Sequence, residues 1–304
     1  VNAFENLIGH QSAKELLLSA IAQNRIAPAY LFAGIDGVGK SLAADEFSRL
    51  LLKPSTQKSI NTHSDRLWIE PTCQHKGKLL TKQEAIAAGI EGKVNFKIRI
   101  EQIREIIDFL SRPPLVAARS LVAITEAETM TEAAANALLK TLEEPGKATI
   151  ILIASSSDSL LPTLVSRCQR IPFYGLSQTD LKQVLQKIGQ QEILEYPEII
   201  AIAQGSPGKA IEAFTQLQNI PSDLLAKLKR SIDNPLQAFA MAKEIVQEID
   251  SQTQLWLVDY LQYFYWQHSQ SKRLIEQLEK TRQYLLSYVQ PRLVWETTLL
   301  ALWL

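Results

Sequence analysis

Apolar residues along the chain change period several times, and the changes mark the elements. Residues 7–25 predict a helix, with Leu16, Leu17, Ala20 and Ile21 at helical spacing. Residues 29–33 are a short apolar run that stops at Gly34, the signature of a buried strand running into a turn. A helix is predicted over 41–52, and the polar stretch 54–61 after it reads as a loop. Residues 66–70 predict a second strand, ended by Pro71. Residues 98–110 carry Ile100, Ile103, Ile106 and Ile107 on one side of a helix. The near-continuous apolar runs 120–125 and 149–154 predict central strands of a parallel sheet covered on both faces, with a helix over 131–142 between them.

This alternation of strand and helix predicts a doubly wound α/β domain ending near Phe173. Beyond it the strand signal stops. Ser177 is placed to cap a helix over 179–188, and short helices are expected over 197–203 and 208–217. Longer amphipathic stretches run from Ser222, one of them bearing Leu255, Tyr260, Tyr263, Phe264 and Trp266. That aromatic stripe reads as core or subunit interface before it reads as a base-stacking platform. The expected division is an α/β nucleotide-binding domain over 1–174, a small helical domain over 175–218 and an all-α domain over 219–304. A length of 304 residues suits two or three domains.

Composition narrows the function classes. Hydrophobic residues are 46% and charged residues 21% of the chain, ordinary globular values. Lys+Arg and Asp+Glu are both 32, so bulk charge does not draw the chain to nucleic acid or to a membrane. Cys73 and Cys168 stand far apart and make neither a disulfide framework nor a four-cysteine zinc site, so zinc is not expected. The first ten residues lack a signal-peptide core, and no apolar run is long enough to span a bilayer. A reducing, cytoplasmic setting is expected.

The sharpest chemical signal is Gly34-Ile-Asp-Gly-Val-Gly-Lys-Ser41, which fits G-x-x-x-x-G-K-[ST] and lies between a predicted strand and a predicted helix. Gly34, Gly37 and Gly39, with Val38 between the last two, let backbone N–H groups turn toward phosphate oxygens at the head of a helix. Lys40 is placed to reach the phosphates, and Ser41 offers a hydroxyl to a nucleotide-borne Mg²⁺. ATP with Mg²⁺ is the expected ligand. P-loop enzymes place an Asp at the end of a neighbouring strand to hold the metal shell. Here that strand ends Thr125-Glu-Ala-Glu128, and neutral Thr125 stands where the Asp belongs. Glu126 occupies the position of a general base. The expectation is nucleotide binding with poor or absent hydrolysis.

The run from Met130 to Pro145, Met-Thr-Glu-Ala-Ala-Ala-Asn-Ala-Leu-Leu-Lys-Thr-Leu-Glu-Glu-Pro, closely resembles the AAA+ sliding-clamp-loader family of bacterial DNA polymerase III, in the subunits called tau/gamma and delta-prime. Phe4-Glu-Asn-Leu-Ile-Gly9, the Ser166-Arg-Cys168 segment, Gly205-Ser-Pro-Gly208 and Pro291-Arg-Leu-Val-Trp-Glu296 match further family segments in order, so the resemblance covers essentially the whole chain. It implies a P-loop domain followed by a helical lid and a helical collar for oligomerisation. His63-Ser-Asp65 resembles a family His-Pro-Asp turn and reads as structural.

Within the family the delta-prime pattern fits best. Thr125 interrupts the acidic strand end, zinc cysteines are absent between Leu52 and His63, and Gly208, with Lys209 beside it, stands where a motor subunit carries a phosphate-touching Arg. The resemblance implies a stator that helps load the sliding clamp onto primed DNA without efficient hydrolysis of its own. It implies Arg167 as an arginine finger aimed at a neighbouring subunit's nucleotide, and Ser155 and Ser156 at the position of a γ-phosphate sensor, where a satisfied strand-end hydroxyl is an equal reading. Expected partners are the other loader subunits, tau/gamma and delta, the sliding clamp, and primer-template DNA through the complex. An active ATPase motor of the tau/gamma kind is the alternative. The chain would be a component of the polymerase III holoenzyme with no polymerase site of its own.

Overall fold

In the computed structural model, residues 3–53, 60–90, 94–230, 232–287 and 289–303 are described. Most of the polar stretch 54–61, read above as a loop, lies outside them; Ile60–Thr62 forms a 3-10 turn. The chain divides into two units, Val1–Asp180 and Leu181–Leu304.

The first unit is built on a five-stranded parallel sheet. Its strands are β1 (Ala29–Gly34), β2 (Arg66–Ile69), β5 (Ser120–Ile124), β6 (Ala148–Ala154) and β7 (Gln169–Phe173), in the order β2-β5-β6-β1-β7. Strands β3 (Thr72–His75) and β4 (Lys78–Thr81) form a separate antiparallel hairpin. β5 and β6 are buried at every position, as their unbroken apolar runs require. Successive side chains point to opposite faces. Leu31, Val122, Ile124, Ile150 and Leu152 face helices Ile100–Leu110 and Glu132–Glu143, which contribute Ile103, Ile106 and Leu138. Tyr30, Phe32, Leu121, Ile151 and Ile153 face helices Gln11–Ala22 and Lys40–Leu52, which contribute Leu17, Ala43 and Phe47. Each fully buried Val, Leu, Ile or Phe among them is worth about 1.5–3 kcal/mol of transfer free energy, so both faces are strongly held and the doubly wound fold follows.

Five elements differ from the sequence expectation. The first helix begins at Gln11, because Gly9 and His10 both take left-handed conformations, with φ of 71° and 54°. Phe4 and Leu7 instead reach the core from the segment before it. β7 was not anticipated: it is an edge strand whose first two residues are exposed, and it carries Pro172, which only an edge tolerates well. The β3–β4 hairpin and the short helix Lys82–Ala87 were also not anticipated, since the half-exposed strands carry too few apolar residues to make a period.

The second unit is helical among its described residues. Helices Gln178–Lys187, Pro197–Ile202 and Pro207–Gln218 are followed by Ser222–Leu228, Pro235–Glu248, Ser251–Ser269, Lys272–Leu286 and Pro291–Trp303. The division falls inside the first of these. Ile202 and Leu217 pack against a core that includes Leu224, Ile245, Leu257 and Trp295, so residues 181–218 and the later helices share one interior. Two buried polar links fix that interior. The Trp295 indole donates to Gln254 Oε1 at 3.0 Å, and Gln254 Nε2 donates to the Ile249 carbonyl at 3.0 Å. In the aromatic helix Tyr260 is buried, whereas Trp266 is 53% exposed.

Candidate functional site

The Gly34–Ser41 loop joins β1 to helix Lys40–Leu52. Gly34 lies so close to β7 that a Cβ there would sit 1.9 Å from the Phe173 carbonyl oxygen, so no side chain fits. Gly39, at φ 108°, takes a conformation that L side chains rarely adopt and turns the chain into the helix. Val38 is buried, and its carbonyl accepts from His10 Nε2 at 2.8 Å. A carbonyl can only accept, so Nε2 carries the proton. Burial lowers the His10 pKa, against the pull of the Val38 carbonyl and the Asp180 carboxylate, which favours the neutral ring. His10 also lies against Phe173, with ring centroids 4.9 Å apart.

Lys40 is buried, and its ammonium is held by its own loop. It donates to the carbonyls of Gly34 and Ile35, the latter at 3.0 Å, and pairs with Asp36 Oδ1 at 3.0 Å. Beside the loop is a cavity of about 530 Å³ whose wall includes Gly37, Gly39, Lys40, Ser41, Glu126 and Ser155. Polar groups converging on a concave site of this size are the usual form of a small-ligand site.

The acidic strand end is arranged differently from a metal-binding one. Both the Thr125 amide and its hydroxyl donate to the Ile69 carbonyl on β2, at 2.9 and 3.3 Å. Glu126 takes a left-handed conformation, φ 46°, at the cavity wall. Burial raises its carboxyl pKa, the neighbouring carboxylates Glu128, Asp36 and Glu70 add to the rise, and Lys82 opposes it. Glu128 accepts the Ser155 amide at 3.0 Å through Oε1, while its buried Oε2 has no hydrogen-bond partner. Ser155 lines the cavity; the Ser156 hydroxyl instead accepts from the Ser159 amide at 3.2 Å, within a surface turn.

For a nucleotide's phosphates these residues fit: a glycine loop at a helix head, a lysine at its base and a cavity beside it. For Mg²⁺ the donors fit poorly. Ser41 is present, but Thr125 is neutral and turned to Ile69. Among the described residues no three His, Cys, Asp or Glu side chains gather as a metal site.

Arg167 belongs to a different surface of the unit. It follows the single turn Pro162–Val165, donates through Nη1 to the Thr163 carbonyl at 2.9 Å and pairs through Nη2 with Glu143 Oε1 at 2.5 Å. It is not among the residues lining the P-loop cavity. Beside it, burial pushes the Cys168 thiol up to about 11, so it stays protonated at neutral pH. His63 accepts the Asp65 amide through Nδ1 at 3.1 Å. The buried Asp65 carboxylate accepts three amides, from Leu115, Val116 and Ala117, at 2.6–2.8 Å. In the second unit Lys209 lines a separate cavity of about 580 Å³ with Trp256, Asp259, Tyr263 and Arg282.

Residues 9–177, more than half of the chain, match the family described as DNA polymerase III, delta subunit, and residues 179–302 match the cyanobacterial DNA polymerase III delta prime, C-terminal domain. The chain belongs to the delta-prime family of DNA polymerase III subunits. Its relatives include DNA polymerase III subunit delta' of Pseudomonas aeruginosa, 30% identical over 60% of this chain and 54% of that protein. Subunit tau of Bacillus subtilis is 28% identical over 73% of this chain and 39% of its own length. The chain thus spans about half or less of these curated relatives. In fold it resembles the gamma subunit-related protein of Thermotoga maritima, with a TM-score of 0.57 and 20% identity over 94% of this chain and 98% of that one. The delta-prime family therefore accounts for both units, the sheet-bearing one and the helical one.

Among the described residues no helix is long and apolar enough to cross a membrane. Sequence reasoning overlooked Lys82, whose helix is announced only by the capping pair Thr81 and Glu84.

Proposed function

We propose that the chain serves in DNA replication as a clamp-loader subunit of the stator kind, binding ATP without turning it over efficiently. The observation that carries the reading is the pairing of an intact phosphate cradle with a Thr125 whose hydroxyl is committed to Ile69. Lys40 and the loop amides hold a nucleotide's phosphates, and bound Mg²⁺ would screen their charge; neutral Thr125 in the metal-side position denies that metal its usual carboxylate. The loop then serves assembly more than catalysis.

Arg167 is the chain's contribution to a neighbour's chemistry. Its guanidinium is partly exposed, lies outside its own P-loop cavity and is oriented by Glu143. A planar, permanently charged fork in that position stabilises charge on a transferring phosphoryl group across a subunit interface. The partners on this reading are the tau/gamma and delta subunits, and through them the sliding clamp and primed DNA, in the cytoplasm. A second reading, an active motor, draws on the complete P-loop and on Glu126 at the cavity wall; it lacks the metal-side carboxylate. Co-purification with the other loader subunits, followed by clamp loading on primed DNA, tests the reading. Failure to join the complex would sink it, and phosphate release by the isolated chain at roughly 1 s⁻¹ or faster would favour the motor.

A further inference from the structure

The hairpin that the sequence did not announce ends beside the phosphate loop. β3 and β4 lead into helix Lys82–Ala87, whose start is fixed by a reciprocal cap: the Thr81 amide donates to Glu84 Oε2 at 2.8 Å and the Glu84 amide to Thr81 Oγ1 at 3.4 Å. Thr72 ties the hairpin's base to the sheet domain, exchanging backbone hydrogen bonds with Lys97 at 3.0 Å in each direction. The hairpin is therefore tied at Thr72, and the helix that follows it starts at a fixed residue.

Lys82 and Ile86 from this helix, with Glu70 and Phe96, line a second cavity of about 390 Å³. Ser41, Thr125 and Glu126 line both this cavity and the one beside the P-loop, so the two meet at the P-loop serine, where a metal would sit. Of the residues lining either cavity, Lys40 and Lys82 are the cations. Lys40 is bound to its own loop. Lys82 is exposed and acts electrostatically on Glu126. A lysine in the first turn of a helix gains nothing from the helix dipole, which disfavours cations there. Its place is better explained by what it faces.

We propose that Lys82 supplies, from the hairpin helix, the positive charge that Mg²⁺ supplies in a P-loop motor, so that this chain holds a nucleoside polyphosphate without needing a divalent cation. The inference rests on the nucleotide-binding reading above. Its physical basis is the disagreement between a cradle that fits phosphate and a strand end that does not fit a metal. Glu70, Glu126 and Ser41 line the same cavity as Lys82. An ammonium has no coordination geometry to satisfy, so a neutral threonine at position 125 costs it nothing.

The test is equilibrium binding of ATP to the full chain, in Mg²⁺ and in EDTA, with thermal unfolding as a fold check. Wild type should bind within about threefold as tightly in EDTA as in Mg²⁺. Lys82→Ala should lose about tenfold or more in EDTA, which is about 1.4 kcal/mol, and recover most of it in Mg²⁺. Lys82→Arg should behave as wild type. Binding that collapses in EDTA for wild type, or that is unchanged in Lys82→Ala, would overturn the inference while leaving the nucleotide site standing. No ATP binding by wild type in either buffer would overturn both. A Lys82→Ala chain that unfolds early is replaced by Lys82→Gln, which keeps the stem and removes the charge.

Discussion

Arg167 Nη2 lies 2.5 Å from Glu143 Oε1, joining the Ser-Arg-Cys segment to the end of the Leu-Glu-Glu-Pro helix. The two side chains are 36% and 52% exposed, so water screens the pair and it contributes roughly 0–1 kcal/mol to stability. Such a bond orients a guanidinium without trapping it. Arg167→Ala is therefore expected to fold, bind ATP and join the loader as wild type does. It should lower the clamp- and DNA-stimulated ATPase of the assembled complex. A finger contributes on the order of 10³–10⁵ at one site, and a loader with several sites should lose less overall. Unchanged ATPase and clamp loading in that complex would reduce Arg167 to a surface residue.

Lys40→Ala should abolish ATP binding. The substitution also leaves the Gly34 and Ile35 carbonyls and the Asp36 carboxylate without their shared cation, so the apo loop should loosen. Calorimetry on the mutant reads the first effect, and faster amide exchange in the loop reads the second. Retained ATP binding would mean that the loop is not the site.

The parts of the fold that were legible in sequence are those where burial is two-sided or chemistry fixes spacing. β5 and β6 are buried on both faces and announced themselves as unbroken apolar runs. The P-loop was legible because the close approach of Gly34 to β7 and the left-handed turn at Gly39 demand glycine at a fixed spacing before Lys40. The edge strand β7 and the β3–β4 hairpin were not, because one-sided burial leaves too few apolar positions to show a period. At the site, the sequence shows that Thr125 departs from a metal-binding pattern, but its hydrogen bonds to Ile69 depend on β2 lying next to β5, which no local pattern states. Ser155 and Ser156 are neighbours in sequence with different surroundings, the first at the cavity and the second in a surface turn. Lys82 was invisible because it reaches the cavity through a hairpin with no motif of its own.

Asp65 gathers the amides of Leu115, Val116 and Ala117, and so fixes the loop that leads into β5. Burial alone would raise its pKa; the three amide donors and His63 outweigh that and hold it below the usual carboxylate value. The folded pKa is thus below the unfolded one. Asp65 therefore stabilises the fold fully above its unfolded pKa, near 3.8, and that contribution fades as pH falls through the lower folded value. Asp65→Asn should cost about 2–4 kcal/mol at neutral pH, since a charged acceptor with several donors is lost in a buried place. It should also flatten the acid limb of the stability profile. Denaturant melts of both proteins at neutral and acid pH measure this, and an unchanged acid limb would show that Asp65 does not titrate with folding.

Both faces of the sheet are closed by residues before Asp180, so the first unit should stand without the second. A chain cut after Asp180 is expected to melt cooperatively and to bind ATP, yet to stay out of the loader complex. A cut after Gln218 should behave worse, although it removes less. It would keep the helices Pro197–Ile202 and Pro207–Gln218 but delete the residues that Ile202 and Leu217 pack against. It would also strip Gln216 of its bond from Thr253, 2.8 Å long. Uncovered apolar faces on short helices cannot offset the entropy of ordering them. Limited proteolysis should therefore trim the longer fragment back toward residue 180 while the shorter one resists. A Gln218 fragment whose helical tail resists protease would show that residues 181–218 fold independently of the helices that follow.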